Sequence, residues 1–358
     1  MPPTIHFVSV AEHEKPSSVQ KKISALFEAA GLAHCVSDRD LVAIKLHIGE
    51  KGNTTHLPAF AVKPVVDRIK QAGGKPFLTD TNTLYRGQRS NAVDHLNLAH
   101  EHGFTLDRVG APMIISDGLF GTSEREVEVN GDLYASVAVA SEVVMANALI
   151  VLTHPTGHPG MGLGATLKNL GMGFSSRKGK LAQHSKMLPK IDKDKCTRCG
   201  TCVKWCPQDT IEMLEASAFV HEQHCIGCGE CLAVCRFGAV LFDWNVSSRI
   251  LQKRVAEHAY AATKDKPGKV GYLSFLITIT KGCDCSGSSQ KPLVPNIGIL
   301  ASKDPVAIDQ ATLDLVHQRT GKSFRELTYP DVDPQIQLAH AQKLGLGQRE
   351  YTLVHLQQ

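Results

Sequence analysis

Two runs of cysteine carry the strongest chemical signal in this chain of 358 residues. Cys196, Cys199, Cys202 and Cys206 follow the spacing C-x2-C-x2-C-x3-C-P. Cys225, Cys228, Cys231 and Cys235 repeat it, with Arg236 in place of the proline. In such a pair the first three thiolates of one quartet hold a cubane cluster and the fourth reaches across to the other. The spacing therefore assigns Cys196, Cys199, Cys202 and Cys235 to one 4Fe-4S cluster, and Cys225, Cys228, Cys231 and Cys206 to a second. Structural zinc uses knuckle pairs divided by a longer spacer, which neither quartet supplies. Neither quartet has the Cys-x3-Cys-x2-Cys loop of S-adenosylmethionine radical chemistry. Two clusters in one module form a path for single electrons, and they also hold together a small fold with little core of its own. Gly200, Gly227 and Gly229 suit loops that bring backbone amides toward cluster sulfur.

A second group of residues is chemically rich but less tightly patterned. "GCDCSG" supplies Cys283 and Cys285, a pair open to three readings: metal or cluster ligands, redox thiols, or a loop without chemistry. "THPTGHPGMGLGATLKNLGMG" carries His154 and His158 across a Pro and Gly loop, as ligands, acid–base groups or partners in local hydrogen bonds. Gly160, Gly162 and Gly164 then leave the backbone open before a short helix, a geometry that can cradle an anion, with Lys168 as countercharge. The segment lacks a P-loop or full dinucleotide fingerprint. "KLHIGEKGNTTH" adds Lys45, His47, Glu50, Asn53 and His56, and "TDTNTLYRGQR" adds Asp80, Asn82, Tyr85 and Arg86. Lys45, Asp80, His154, His158 and Lys168 are the catalytic candidates. His184 is a further candidate, Asp304 reads as a helix cap, and Cys35 as a small buried hydrophobe.

The elements that must position these groups alternate. Ile5 to Val10 reads as a strand and Ser17 to Gly31 as a helix. Leu41 to Gly49 reads as a buried strand, "FAVKPVVDRIKQAGG" as a helix, and "KPFLTD" and Asn147 to Leu152 as further strands. This rhythm predicts an α/β fold, a mostly parallel sheet with helices on both faces. Ligands of such sheets sit beyond the carboxyl ends of strands, where His47, Asp80 and His154 fall. The apolar rhythm breaks between 189 and 244, which reads as an inserted small α+β ferredoxin-like two-cluster module. Residues 1–188 and 245–358 then form the two parts of the main domain.

Composition narrows the class. Hydrophobic residues make up 42% and charged residues 21%, ordinary for a globular protein. The net charge of +4 is too small and diffuse to imply nucleic-acid binding. The run "SSRKGK" (175–180) reads either as a solvated loop or as an attractor of an anionic ligand. No apolar run approaches bilayer length, and "MPPTIHFVSV" has no signal-peptide pattern, so the expectation is a cytoplasmic protein with reduced thiols and no membrane partner.

Taken in order, "KLHIGEKGNTTH", "TDTNTLYRGQRSNAVDH", "GAPMIISDG", "LKNLGMG", both quartets, "CDC", "GILASKDPVAIDQATLDL" and "LGLGQREY" resemble the DUF362 family, in the form with an internal bacterial-type ferredoxin module. The resemblance covers nearly the whole chain and implies no particular reaction. The family pattern near Thr153 is similar to His, bulky residue, Lys, Gly, His, and here Thr156 replaces the lysine. Ser274 and Lys281 stand where relatives more often have Asn and Pro. Three functions compete. One is an iron–sulfur oxidoreductase that passes electrons from a soluble donor protein to a substrate or metal site near Cys283, Cys285, His154 and His158. Another is an electron-transfer or metallocentre-maturation partner without turnover of its own. The third is a non-redox binding protein or metal-dependent enzyme with structural clusters.

Overall fold

The structure is a computed structural model that describes residues 1–85, 87–184, 188–225, 227, 229–241 and 246–356. An eight-stranded sheet forms its frame. In chain order the strands are β1 (Thr4–Ser9), β2 (Leu41–Lys45), β3 (Lys75–Asp80), β4 (Met113–Ile115), β5 (Ala148–Thr153), β6 (Val270–Leu276), β7 (Gly298–Ser302) and β8 (Thr352–His355). Across the sheet they lie β8-β1-β7-β6-β5-β2-β3-β4. Only β7 runs antiparallel to its neighbours; the other pairs are parallel, giving the expected mostly parallel α/β sheet.

The central strands are apolar on both faces because helices cover both. Every residue of β5 is buried. Its side chains alternate between two cores: Ile150 and Leu152 face α1 (Pro16–Ala29), α2 (Lys63–Gln71) and α3 (Ala92–Glu101). Leu149 and Val151 face α4 (Thr166–Gly171), α6 (Ser248–Thr263), α7 (Pro305–Thr320) and α8 (Gln335–Lys343). One further helix, α5 (Arg177–His184), packs beside α6. The start of α7 follows its sequence: Asp304 accepts from the amides of Val306 and Ala307 at 2.9 and 2.8 Å, with Pro305 in the first turn. Cys35 is buried in the first core.

The cysteine segment is built from short pieces. Lys190–Ile191 pairs antiparallel with Val240–Leu241, and Ile211–Met213 with Ala218–Val220. Among the described residues its buried apolar cluster is small, Ile211, Ala218, Val220, Cys231 and Val240, with other quartet cysteines packed around them. So small a core cannot offset the entropy of ordering the segment, which makes the thiolates its principal staple. The segment leans on the main domain through the Trp205 ring, edge-on to Phe120 at 5.7 Å. At Gly229 a Cβ would lie 3.4 Å from Arg177 Cγ and 3.8 Å from Leu181 Cδ2, both on α5.

Candidate functional site

Adjacent and parallel, β3, β2, β5 and β6 end along one edge of the sheet. The chain beyond those ends encloses a cavity of about 270 Å³. Lys45 and His47 follow β2, Asp80 ends β3, His154 follows β5, and the loop after β6 brings Cys283, Asp284 and Cys285. His158, Lys168 and Asn169 enter from the hairpin and helix after β5, and Lys180 and His184 from α5. All five catalytic candidates and both C-x-C cysteines thus line one space.

On the β2–β3 side the cavity wall is an ion network. Asp80 meets Lys45 Nζ at 3.0 Å and Arg89 Nη1 at 3.3 Å, and Arg89 Nε continues to Glu50 at 3.4 Å. Lys45 Nζ also donates to Asn169 Oδ1 at 2.8 Å and to the Leu46 carbonyl at 3.0 Å. Arg89 donates to the Tyr85 hydroxyl. Burial opposes ionisation of Asp80, but Lys45, His95 and Arg89 hold it far below the usual carboxylate range. Burial draws Lys45 down, and Asp80 offsets part of that shift. Sequence reading chose Arg86, which lies outside the described residues, and passed over Arg89, three residues on in the same loop.

The opposite wall is the C-x-C loop. Cys283 Sγ accepts from Lys168 Nζ at 3.3 Å and from the Cys285 amide at 3.3 Å. The hydrogen bond to the Cys285 side chain, followed by Lys168, lowers the Cys283 thiol against the opposing effect of burial. The same contact raises Cys285. Two supports fix the loop. The Glu50 amide donates to the Asp284 carbonyl at 2.9 Å, and Gly157 N–H donates to the Thr280 carbonyl at 2.9 Å. A Cβ on Gly157 would lie 2.1 Å from the Lys281 carbonyl oxygen, so this approach requires glycine. Thr156 and His158 therefore sit in a two-stranded hairpin, Thr156–His158 with Gly162–Gly164, rather than in an irregular Pro and Gly loop. Thr156, where the family pattern resembles a lysine, lines the cavity as a neutral side chain.

His154 spends both ring nitrogens on this wall, Nδ1 on Asp284 Oδ2 at 2.7 Å and Nε2 on the Ile277 carbonyl at 2.9 Å. Both partners accept, so the ring is an imidazolium that orients the loop. Burial works against that charge, yet Asp284 outweighs it and raises His154 above its ordinary value of 6.5. The pair's stabilisation is thus full below about pH 6.5 and lost as pH rises through the raised value. Asp284→Asn should lower the urea midpoint most near pH 6, with the gap to wild type narrowing at alkaline pH. A gap independent of pH would contradict the ion pair.

Two other imidazoles are arranged as neutral donors. His47 Nδ1 accepts from the Gly49 amide at 3.0 Å, and His158 Nδ1 from the amides of Gly160 and Met161 at 3.1 and 3.2 Å. The proton of each ring therefore sits on Nε2. Burial, with Arg89 near His47 and Lys168 near His158, keeps both well below the ordinary histidine value. Burial, with Lys168 and Lys180, holds His184 at about 4.

Two sequence expectations are corrected. The amides of Thr166 and Leu167, read as an anion cradle, bind the Asp309 carboxylate at 2.9 and 2.8 Å, so the protein supplies that anion itself. Nor is "SSRKGK" a solvated loop: it runs into α5, and Arg177 and Lys180 are buried. Lys180 Nζ donates to Thr81 Oγ1 and the Ser175 carbonyl, both at 2.6 Å. Nothing local in the sequence marks Lys180, because its neighbours come from β3 and the turn before α5.

Cys196, Cys199, Cys202 and Cys235 surround a small cavity of the cysteine segment, three from one quartet and the fourth from the other. Amides point at the sulfurs, Ala218 at Cys196 (3.5 Å), Ala239 at Cys235 (3.4 Å) and Thr210 at Cys206 (3.4 Å). This donor set fits a cubane held by four thiolates. Cys206, Cys225 and Cys231 share the same small core, and Cys228 lies outside the described residues. Among the described residues no three donors surround a single-ion position. In a cubane each thiolate binds a different iron, so its site is wider than that of one ion.

The family model described as "Domain of unknown function (DUF362)" matches residues 42–314. The chain belongs to the DUF362 family. Like other members it has a family name that states no reaction. A stretch of 81 residues is 36% identical to pyruvate synthase subunit PorD of Methanothermobacter marburgensis, covering 23% of this chain and 93% of that one. A stretch of 49 residues is 37% identical to the delta subunit of NADH-dependent phenylglyoxylate dehydrogenase of Aromatoleum evansii, covering 14% and 53%. Among solved structures, the lactate racemase apoprotein of Thermoanaerobacterium thermosaccharolyticum matches with a TM-score of 0.38 and 13% identity, over 75% of this chain and 50% of that chain. This DUF362 protein therefore combines an α/β body with a stretch similar to a pyruvate synthase subunit and to a phenylglyoxylate dehydrogenase subunit. Among its described residues no helix is long and apolar enough to cross a membrane.

Proposed function

We propose that this chain is a cytoplasmic iron–sulfur oxidoreductase that carries single electrons through two 4Fe-4S clusters to a substrate in the cavity at the sheet edge. The observation that carries this reading is the position of α5. One side of the helix, through Arg177 and Leu181, packs on Gly229 of the second quartet's loop, and the other, through Lys180 and His184, lines the cavity. A purely structural staple would have no need to abut the wall of a charged, enclosed pocket. Each cluster, when bound, exchanges one electron at a time. Lys168 and Lys180 attract an anionic ligand, His47 and His158 present Nε2–H donors, and the Lys45–Asp80–Arg89 network holds one wall rigid.

A soluble electron-donor protein is the partner this path requires. The subunit names of the relatives support a protein partner, and they favour a second reading in which the chain delivers electrons without turnover of its own.

Anaerobically purified protein should contain about eight iron atoms and matching acid-labile sulfide. Photoreduction with deazaflavin should bleach its visible absorbance by two electrons per chain. Clusters that stay oxidised under the lowest potentials reached in that experiment would sink the electron-transfer reading and leave them structural.

A further inference from the structure

We propose that Cys283 and Cys285 form a redox-active dithiol, with Cys283 the attacking sulfur and Cys285 the resolving one, acting on a small anionic disulfide. The proposal rests on the electron path above for its reductant, and on geometry of its own for the chemistry.

The two thiols are separated by one residue, and the backbone amide of Cys285 donates to Cys283 Sγ. Lys168 Nζ and the Cys285 amide both point at Cys283 Sγ, each at 3.3 Å, which stabilises a thiolate there and not on Cys285. A thiolate with an adjacent protonated thiol is the arrangement that disulfide exchange requires. Among the described residues no three His, Cys, Asp or Glu donors are assembled around a single-ion position. His154 has both nitrogens engaged, and Asp284 Oδ2 is bound to it at 2.7 Å. Both sulfurs line the cavity, so a ligand can reach them.

The charges around the cavity select the ligand. Lys45 and Arg89 are matched by Asp80 and Glu50, His154 by Asp284, and Lys168 by the Cys283 thiolate. Lys180 donates to two neutral oxygens and makes no ion pair of its own among the described residues; burial lowers its ammonium to about 8, and Asp117 and Asp80 offset part of that shift. A volume of about 270 Å³ accommodates a compact disulfide bearing carboxylates.

Each step balances. Cys283 Sγ attacks one sulfur of the disulfide, forming a mixed disulfide and expelling the other half as a thiolate. Cys285 then loses its proton and attacks Cys283 Sγ, releasing the second half and leaving a Cys283–Cys285 disulfide. Two electrons, delivered singly from the iron–sulfur module, and one proton restore the Cys283 thiolate and the Cys285 thiol.

The first arm of the test uses the iron-loaded protein with oxidised clusters in the dark, treated with dithiodiglycolate, a small dianionic disulfide. The peptide containing residues 283–285 should lose two hydrogen masses. Cys285→Ser should stop at a mixed disulfide on Cys283, and Cys283→Ser should not react. Cystamine, the dicationic counterpart, should react about tenfold more slowly. An unreactive wild-type pair overturns the proposal. So does a metal that survives anaerobic purification, blocks alkylation of both cysteines and is lost in Cys283→Ala/Cys285→Ala.

A second arm starts from protein carrying the preformed disulfide and photoreduces the clusters. Recovery of cluster absorbance with release of two thiols per two electrons supports the link. A disulfide that forms in the first arm but never draws electrons from the clusters leaves the dithiol standing and overturns the electron path.

Discussion

Replacing Asp80 by alanine should destabilise the protein by about 3–5 kcal/mol, because it strands buried cations. The carboxylate lies 3.0 Å from Lys45 and 3.3 Å from Arg89, and those side chains are 1% and 3% exposed. Neither cation can turn to water: Lys45 loses its countercharge without regaining hydration, and Arg89 is left with Glu50 alone. Asp80→Asn keeps the shape and separates charge from volume: it should recover the packing but still lose more than half of the ion-network contribution. Urea unfolding of the iron-loaded protein, followed by circular dichroism, measures both. A loss below about 1 kcal/mol for the alanine variant would place the network in the class of surface pairs and contradict the burial seen here.

The second large effect is in the cysteine segment. Cys235 belongs by sequence to the second quartet but stands with Cys196, Cys199 and Cys202 around one cavity. Cys235→Ser should therefore disrupt the cluster of the first quartet and spare the other, reducing bound iron by about half. With one of its two staples gone, amides around the first quartet and the Lys190–Ile191 and Val240–Leu241 pair should lose hydrogen-exchange protection while β5 and β6 keep theirs. Iron analysis with electron paramagnetic resonance decides which cluster is lost. Disappearance of the other cluster would reverse the assignment of the fourth thiolates.

The two quartets show how far sequence reasoning reaches. Their ligands are spaced within single short segments, and cluster geometry dictates that spacing, so a line of residues already contains the arrangement. The strands were legible for a similar reason. A continuous apolar run such as "NALIVL" is what a sheet buried on both faces requires, and the rule that ligands gather beyond parallel strand ends brought His47, Asp80 and His154 forward.

What lay beyond reach was every choice made between distant elements. Nothing in "GATLKN" shows that its amides are filled by Asp309, 143 residues further on. Nothing near "SSRKGK" shows that Lys180 turns inward to Thr81, across 99 residues. His154 reads equally well as ligand, base or local hydrogen-bonder until Asp284, 130 residues away, claims its Nδ1. By itself, then, the sequence determined the two cysteine quartets proposed as cluster ligands, the mostly parallel sheet and the strand ends that line the cavity, because local spacing and periodicity carry that information. The tertiary structure alone decided which charges pair, which amides are filled and which thiol faces Lys168. Those outcomes depend on burial and on electrostatic neighbours that the chain brings together only when it folds.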